Sequence, residues 1–179
     1  MNFIDIIAQV FGLGATVSLF LIYQQKTRKG MLLAKLSADV FWVIHYFLLS
    51  AYSGMIPNAV GMLREVVFIQ RKEKRWANSI KFPVLFVLIN WGLGFRSFND
   101  WYNILPIAAS TVVTLSLWID KPRLTKIISI PISLSFLIYD IHVDSYIGVV
   151  NEAIAICSII IYFVKEIICF IKEKKNVQQ

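Results

Sequence analysis

Long apolar stretches separated by short polar and basic stretches make up nearly the whole chain. A bilayer core about 30 Å thick requires about 20 mostly apolar residues for each helical span. Runs of about that length occur at residues 3–23, 31–51, 52–70, 80–96, 100–119, 124–142 and 146–168. The pattern therefore predicts an all-α membrane protein with seven transmembrane helices and no separate soluble domain.

The basic residues predict which helix ends face the cytoplasm, because loops rich in lysine and arginine stay on that side. Nearly all of the 18 lysines and arginines fall in four clusters, at 26–35, 71–81, 121–126 and 165–175. Seven spans place all four clusters on one face when the N-terminus lies outside. Six or eight spans would divide them between the two faces. We therefore expect a multi-pass protein of the cell (inner) membrane with a cytoplasmic C-terminus.

The composition indicates what kind of partner the protein contacts. The chain is 58% hydrophobic and only 16% charged, with a net charge of +7. Because the basic groups lie in short loops beside an anionic leaflet, this charge indicates topology and membrane contact. We therefore expect the lipid bilayer as a partner and no nucleic acid, and the sequence leaves oligomeric state open.

The chain also matches itself at an offset of 94 residues. "WVIHYFLLSAYSGMIPNAVGML" (42–63) aligns without gaps to "FLIYDIHVDSYIGVVNEAIAIC" (136–157), and the loop charges and hydropathy match as well. This predicts two three-helix repeats, 1–70 and 99–175, joined by a cytoplasmic loop and linker helix at 71–98. An odd number of intervening helices makes the repeats parallel. The three-one-three arrangement resembles the SWEET sugar transporters and the PnuC vitamin transporters.

At the residue level the chain is similar to the YgjV-type bacterial inner-membrane proteins. The stretches that carry the resemblance are "LSADVFWVIHYFLLSAYSGMIPNAVGMLR" (36–64) and "FLIYDIHVDSYIGVVNEAIAICS" (136–158). One departure is Gly61, where that family often has asparagine. The resemblance covers nearly the whole chain and implies a fold and a compartment more than a function.

Polar residues recur at equivalent places within the predicted spans. The offset pairs His45 with Tyr139, Tyr46 with Asp140, and Asn58 with Glu152. Charged groups at the centre of a span cost about 2.5 to 3.5 kcal/mol on insertion scales and usually face the bundle interior. Asn58 and Glu152 each lie six residues inside their spans, or about 9 Å deep. A layer of these groups between the repeats predicts a substrate site.

Each candidate also has a purely structural interpretation. Asn58 is predicted to bind solute or only to hydrogen-bond a neighbouring helix. His45 is predicted to line the site or to pack against a backbone carbonyl. Trp42 is placed to stack on a flat or sugar-like solute, or to contact lipid. The SWEET resemblance implies an asparagine on the third and seventh helices, a place that Asn58 and either Asn151 or Glu152 would fill.

Other charged residues near the span ends have separate predictions. The long stem of Arg64 favours snorkelling to the cytoplasmic headgroups, with a role at an inner gate or toward an anionic substrate as the alternative. Glu65 is expected to face the basic loop. The i, i+4 spacing of Lys35 and Asp39 predicts a structural ion pair. We expect Asp140 and His142 to reach water, and we expect Pro57, Pro106 and Pro131 to break helices within spans.

These residues predict only the general class of function. The sequence lacks the G-x-S-x-G, H-E-x-x-H and phosphate-loop motifs, which favours a protein that is not an enzyme. It shows no cluster of metal-ligand residues, so we predict neither a metal nor another cofactor. The leading prediction is a transporter or facilitator for a small neutral polar solute. The alternative is a non-transporting sensor, scaffold or partner-binding module.

Overall fold

All regular structure in the computed structural model, which describes residues 3–24, 27–119 and 122–177, is helical. The seven α-helices in these ranges are α1 (Phe3–Gln24), α2 (Arg28–Leu48), α3 (Tyr52–Gln70), α4 (Lys81–Gly94), α5 (Ile104–Ile119), α6 (Pro122–His142) and α7 (Tyr146–Val177). Short 3-10 helices lie at Arg75–Asn78, Phe95–Ser97 and Trp101–Asn103. Since the described ranges contain no strand, the all-α prediction is confirmed.

Several helices have the length and apolar character of membrane spans. By length and composition alone, four stretches in the described ranges qualify: Phe3–Leu21, Lys29–Leu48, Trp101–Ile119 and Tyr146–Val164. Large apolar side chains also lie exposed along the helices; Leu63 is 60% exposed and Leu88 is 64% exposed. A surface of this kind fits contact with lipid tails. Crossing of the membrane by all seven helices remains a prediction.

Local interactions decide where α2 begins and ends. The Thr27 side chain accepts a hydrogen bond from the Gly30 N–H at 3.1 Å, which is an N-cap and starts the helix three residues before the predicted position. Ser50 follows the helix with φ 55°, in the left-handed region. Asp144, between α6 and α7, has φ 54°. The two turns therefore reverse the chain in the same way.

The prolines occupy two kinds of position. Pro57 and Pro131 lie inside α3 and α6, where the missing N–H removes a helical hydrogen bond. Pro106 is the third residue of α5, which begins at Ile104. The first-turn N–H groups of a helix have no helical partner, so proline disrupts nothing there. The prediction that Pro106 breaks a span is therefore wrong.

Six helices pack in a closed ring. Going round it, α1 packs on α2, α2 on α3, α3 on α5, α5 on α6, α6 on α7, and α7 returns to α1. Helix α4 packs against α3 and α5. The buried core on α2 and α6 contains Trp42, Tyr46 and Tyr139, with Ala15 of α1 and Ala38 of α2 beside them. Small residues beside large rings let α1 approach α2 closely.

Candidate functional site

Five buried polar side chains lie near the C-terminal ends of α2 and α6. We call them the aromatic–carboxyl cluster: His45, Tyr46, Tyr139, Asp140 and Ser145. None is more than 2% exposed. The Tyr46 hydroxyl donates to Asp140 Oδ1 at 2.7 Å, so the cluster joins α2 to α6 directly.

Tyr139 ties the turn between α2 and α3 to α6. Its hydroxyl donates to the Ala51 carbonyl at 3.1 Å and accepts the Gly54 N–H at 2.8 Å. A Cβ added at Gly54 would lie 2.7 Å from the Tyr139 ring and 3.0 Å from the Tyr46 ring. Glycine is therefore what allows α3 to approach both rings.

His45 links three parts of the ring. Its Nδ1 lies 2.7 Å from the Ala8 carbonyl of α1, and its Nε2 lies 2.7 Å from Ser145 Oγ, in the turn between α6 and α7. Trp42 stacks on Tyr46 with ring centroids 5.6 Å apart, and its ring meets His45 edge-on at 5.2 Å. Both nitrogens of the buried imidazole are thus occupied by protein groups.

A second group, which we call the ion-pair cluster, consists of Lys35, Asp39, Arg64, Glu65 and Thr114. Lys35 Nζ lies 2.9 Å from Asp39 Oδ1 and 3.8 Å from Glu65 Oε1. Arg64 Nη2 donates to Glu65 Oε1 at 2.9 Å, and its Nη1 donates to Thr114 Oγ1 of α5 at 2.8 Å. Glu65 Oε2 is buried without a hydrogen-bond partner in the described part of the chain.

The structure corrects three of the sequence predictions and confirms another. Arg64 is 2% exposed, so snorkelling is wrong: Glu65 and Thr114 hold its guanidinium inside the bundle. Glu65 is fully buried and does not face a basic loop. Asp140 is 1% exposed and does not reach water, because Tyr46 covers it. The Lys35–Asp39 ion pair is confirmed.

The hydrogen bonds of Asn58, Asn151 and Glu152 go to residues outside the aromatic–carboxyl cluster. The Asn58 amide donates to the Gly54 carbonyl of its own helix at 2.8 Å. The Asn151 amide donates to Glu152 Oε1 at 3.0 Å, and Ser133 of α6 also hydrogen-bonds the Glu152 carboxyl group. Glu152 interacts electrostatically with Asp140 of the first cluster and with Lys35 of the second.

An open pocket of about 260 Å³ lies above the aromatic–carboxyl cluster. Its walls are the α2–α3 turn, the connection from α4 to α5, and the end of α6; the lining residues are Ser50, Ala51, Tyr52, Ser53, Arg96, Ser97, Asn99, Asp100, Tyr102, Asn103, Tyr139 and Val143. Hydroxyl and amide groups predominate, together with one guanidinium and one carboxylate. These groups are hydrogen-bond donors and acceptors for a small polar molecule.

Sequence reasoning brought some of these residues together and missed others. Of the predicted site residues, His45, Tyr46, Tyr139 and Trp42 lie in one buried cluster. The pocket residues Arg96 and Asp100 were not foreseen, because they follow α4 in a polar connection. The 94-residue offset had paired Asp140 with Tyr46, the residue that bonds it, but Asp140 was expected to reach water.

Comparisons with known proteins give a family and no closer relative. No curated protein and no solved structure matches the chain. The sequence model of a bacterial inner membrane protein family, Imp-YgjV, matches residues 6–167. The resemblance inferred from the sequence is therefore confirmed, and the protein belongs to the YgjV family of bacterial inner membrane proteins.

Proposed function

We propose that this protein is an inner-membrane transporter or facilitator for a small neutral polar solute, with its site between two parallel three-helix repeats. The observation that carries the proposal is the open pocket, whose floor is Tyr139. Residues from both proposed repeats line it, and the Tyr139 hydroxyl binds the backbone of the first while belonging to the second. A solute bound there would contact both halves at once.

Helix boundaries support the repeat arrangement. Helices α2 and α6 are each 21 residues long and begin 94 positions apart, at Arg28 and Pro122. The left-handed residues Ser50 and Asp144 show the same offset. Moving each helix three places round the ring exchanges α1 with α5, α2 with α6 and α3 with α7. This exchange is what a two-fold axis along the membrane normal would produce.

The orientation follows from the basic loops. With seven crossings and the N-terminus outside, the clusters at 26–35, 71–81, 121–126 and 165–175 are cytoplasmic. The pocket, bounded by the α2–α3 turn and the α4–α5 connection, then opens away from the cytoplasm. The ion-pair cluster closes the bundle on the cytoplasmic side of it, since Asp39 precedes Tyr46 by seven residues, about 10 Å along α2.

The charges of the pocket favour a solute without net charge. Arg96 and Asp100 are of opposite sign, and Asp100 also accepts a hydrogen bond from the Tyr102 hydroxyl at 3.0 Å. Amide groups of Asn99 and Asn103 supply further donors and acceptors. A polar solute can exchange its hydration for these groups.

The proposal is tested by measuring the thermal stability of the purified protein against sugars, nucleosides, vitamins and amino acids. A ligand at ten times its dissociation constant stabilises by about 1.4 kcal/mol. We expect one class of solute to raise the melting temperature and to be taken up by proteoliposomes. Arg96→Gln is expected to abolish both effects, and Asn58→Ala and Glu152→Gln to weaken uptake.

Arg75→Gln is the matched control, because Arg75 is exposed in the loop between α3 and α4. It is expected to behave like the parent. If no solute in the panel stabilises or enters, or if Arg75→Gln and Arg96→Gln have equal effects, the pocket is not a solute site. A non-transporting membrane module would then be the better description.

A further inference from the structure

Two opposite charges share the open pocket without forming an ion pair with each other. Arg96 and Asp100 both line the pocket, and both residues are exposed. Within the described ranges, the Arg96 guanidinium has no hydrogen-bond or ion-pair partner, and the Asp100 carboxylate accepts only the Tyr102 hydroxyl, at Oδ2. The pocket therefore presents one positive and one negative group that a bound solute can reach.

Asn103 is a separate observation that points to a ligand. It lines the pocket but is only 8% exposed, and its side-chain amide forms no hydrogen bond in the part of the chain that the structure describes. Buried polar side chains are nearly always hydrogen-bonded, and an amide that is buried without a partner costs free energy. A solute with a hydrogen-bond donor or acceptor would satisfy this amide.

The wall of the pocket also includes the beginning of α3. Tyr52 and Ser53, the first two residues of this helix, line the pocket, and no side chain caps the helix there. The N–H groups of these two residues have no partner in the described ranges. Because free N–H groups and the helix dipole make a helix N-terminus favourable for anions, this wall favours a negatively charged group, as Arg96 does.

From these groups we infer that the pocket binds a small zwitterion, a solute that carries both a carboxylate and an ammonium group. Arg96 and the first turn of α3 bind the carboxylate, Asp100 binds the ammonium group, and the Asn103 amide hydrogen-bonds the solute. Guanidinium groups bind carboxylates through two parallel hydrogen bonds, and ammonium groups donate to carboxylates. The inference rests on the proposed function, because it names the solute class of the same pocket.

Charge balance distinguishes a zwitterion from the other classes of solute. A bound cation would leave Arg96 without an opposite charge, and a bound anion would leave Asp100 without one. An uncharged solute, such as a sugar, would displace water from both charged groups and give neither of them a counter-charge. A zwitterion satisfies both groups and adds no net charge, which agrees with a neutral polar solute.

The test compares matched compounds on the purified parent protein. The probes are glycine, the L-amino acids with uncharged side chains, their amides, which are cations, and their N-acetyl derivatives, which are anions. Melting temperature ranks the compounds, and titration calorimetry gives their dissociation constants. We expect at least one zwitterion to bind at least about 10-fold more tightly than its own amide and its own N-acetyl derivative, since each derivative loses one charged hydrogen-bonding group.

Variants assign the two ends of the solute, with dissociation constants measured at higher solute concentrations. Arg96→Gln is expected to lose the preference for the zwitterion over its amide and to keep the preference over the N-acetyl derivative. Asp100→Asn is expected to show the opposite pattern. A variant that only disturbed the fold would lose both preferences together. Arg75→Gln and Glu73→Gln, which replace exposed charges in the loop between α3 and α4, are the matched controls and should behave like the parent.

The possible results separate this inference from the proposed function. If no zwitterion binds the parent protein, or if the blocked derivatives bind as tightly as the zwitterion, the inference is wrong. If a sugar binds in a manner that depends on Arg96 and no zwitterion does, the proposed solute site stands and the zwitterion site fails. If a zwitterion binds with the expected preferences but does not enter proteoliposomes, the zwitterion site stands and the proposed transport fails.

Discussion

Both buried polar clusters keep charged and polar groups inside an apolar bundle, but they do so in different ways. In the ion-pair cluster, Lys35 and Arg64 stand against Asp39 and Glu65, with ion-pair distances from 2.9 to 3.8 Å. In the aromatic–carboxyl cluster, the neutral Tyr46 hydroxyl donates to a single carboxyl group, that of Asp140. The first balances charge with charge, and the second satisfies one acid through hydrogen bonds.

The difference indicates different tasks. Opposite charges in contact lose much of their attraction if one partner moves, so the ion-pair cluster holds α2, α3 and α5 in a fixed arrangement. Hydrogen bonds from neutral donors are individually weaker than ion pairs and can be exchanged. If the two proposed halves separate, we therefore expect them to do so at the aromatic–carboxyl cluster.

The largest effect is expected from Arg64→Met. This variant removes the main cationic partner of the buried Glu65 carboxyl group. Its other oxygen, Oε2, has no hydrogen-bond partner in the described ranges even in the parent protein. Unfolding in detergent should show a loss of about 3 to 5 kcal/mol. Replacing both residues, with Arg64→Met and Glu65→Leu, should recover most of it. Lys29→Ala removes the exposed pair with Glu73 and should cost less than about 0.5 kcal/mol; equal losses for the two variants would contradict the comparison.

A smaller effect is expected from Gly54→Ala, in the aromatic–carboxyl cluster. The new methyl group would lie 2.7 Å from a Tyr139 ring that two hydrogen bonds hold in place. Overpacking of this kind costs about 1 to 3 kcal/mol, measured by the same unfolding assay. Gly92→Ala is the matched control, since a Cβ there meets nothing within 4 Å. If the two alanines were equally tolerated, the close contact of α3 with the rings would be unimportant for stability.

The smallest effect is expected from Tyr46→Phe, which deletes one hydrogen bond and keeps the ring. Side-chain hydrogen bonds between membrane helices average about 0.6 kcal/mol and reach about 1.7 kcal/mol. A loss within that range is expected, against none for Tyr146→Phe, where the side chain is 57% exposed. A loss as large as that of Arg64→Met would mean that the two clusters are equally rigid.

Hydropathy predicted the helices well, because charged clusters interrupt the apolar runs. The span predicted at 52–70 coincides with α3, and that at 80–96 lies close to α4. Helix α7 continues beyond the predicted residue 168, since hydropathy indicates where lipid contact ends and not where a helix ends. The start of α2 depended on the Thr27 cap, which an apolar pattern does not contain.

The candidate site was predicted less completely, for a different reason. His45, Tyr46 and Tyr139 stood out as polar groups in apolar runs, and they do lie together. The predicted environments of Arg64 and Asp140 were wrong, because the depth of a residue along its own helix does not show which other helix packs against it. The partner of Arg64, Thr114, is 50 residues away in the chain, and only the packing of α3 on α5 brings it near.

Four hydrogen bonds join the two proposed halves at the aromatic–carboxyl cluster, and together they affect how fast the halves can separate. They are Tyr46 to Asp140, His45 to Ser145, and Tyr139 to the backbone at Ala51 and Gly54. If the halves separate here, all four bonds must break before new partners form. At about 0.6 kcal/mol each, they raise the barrier by about 2.4 kcal/mol and slow the opening about 60-fold.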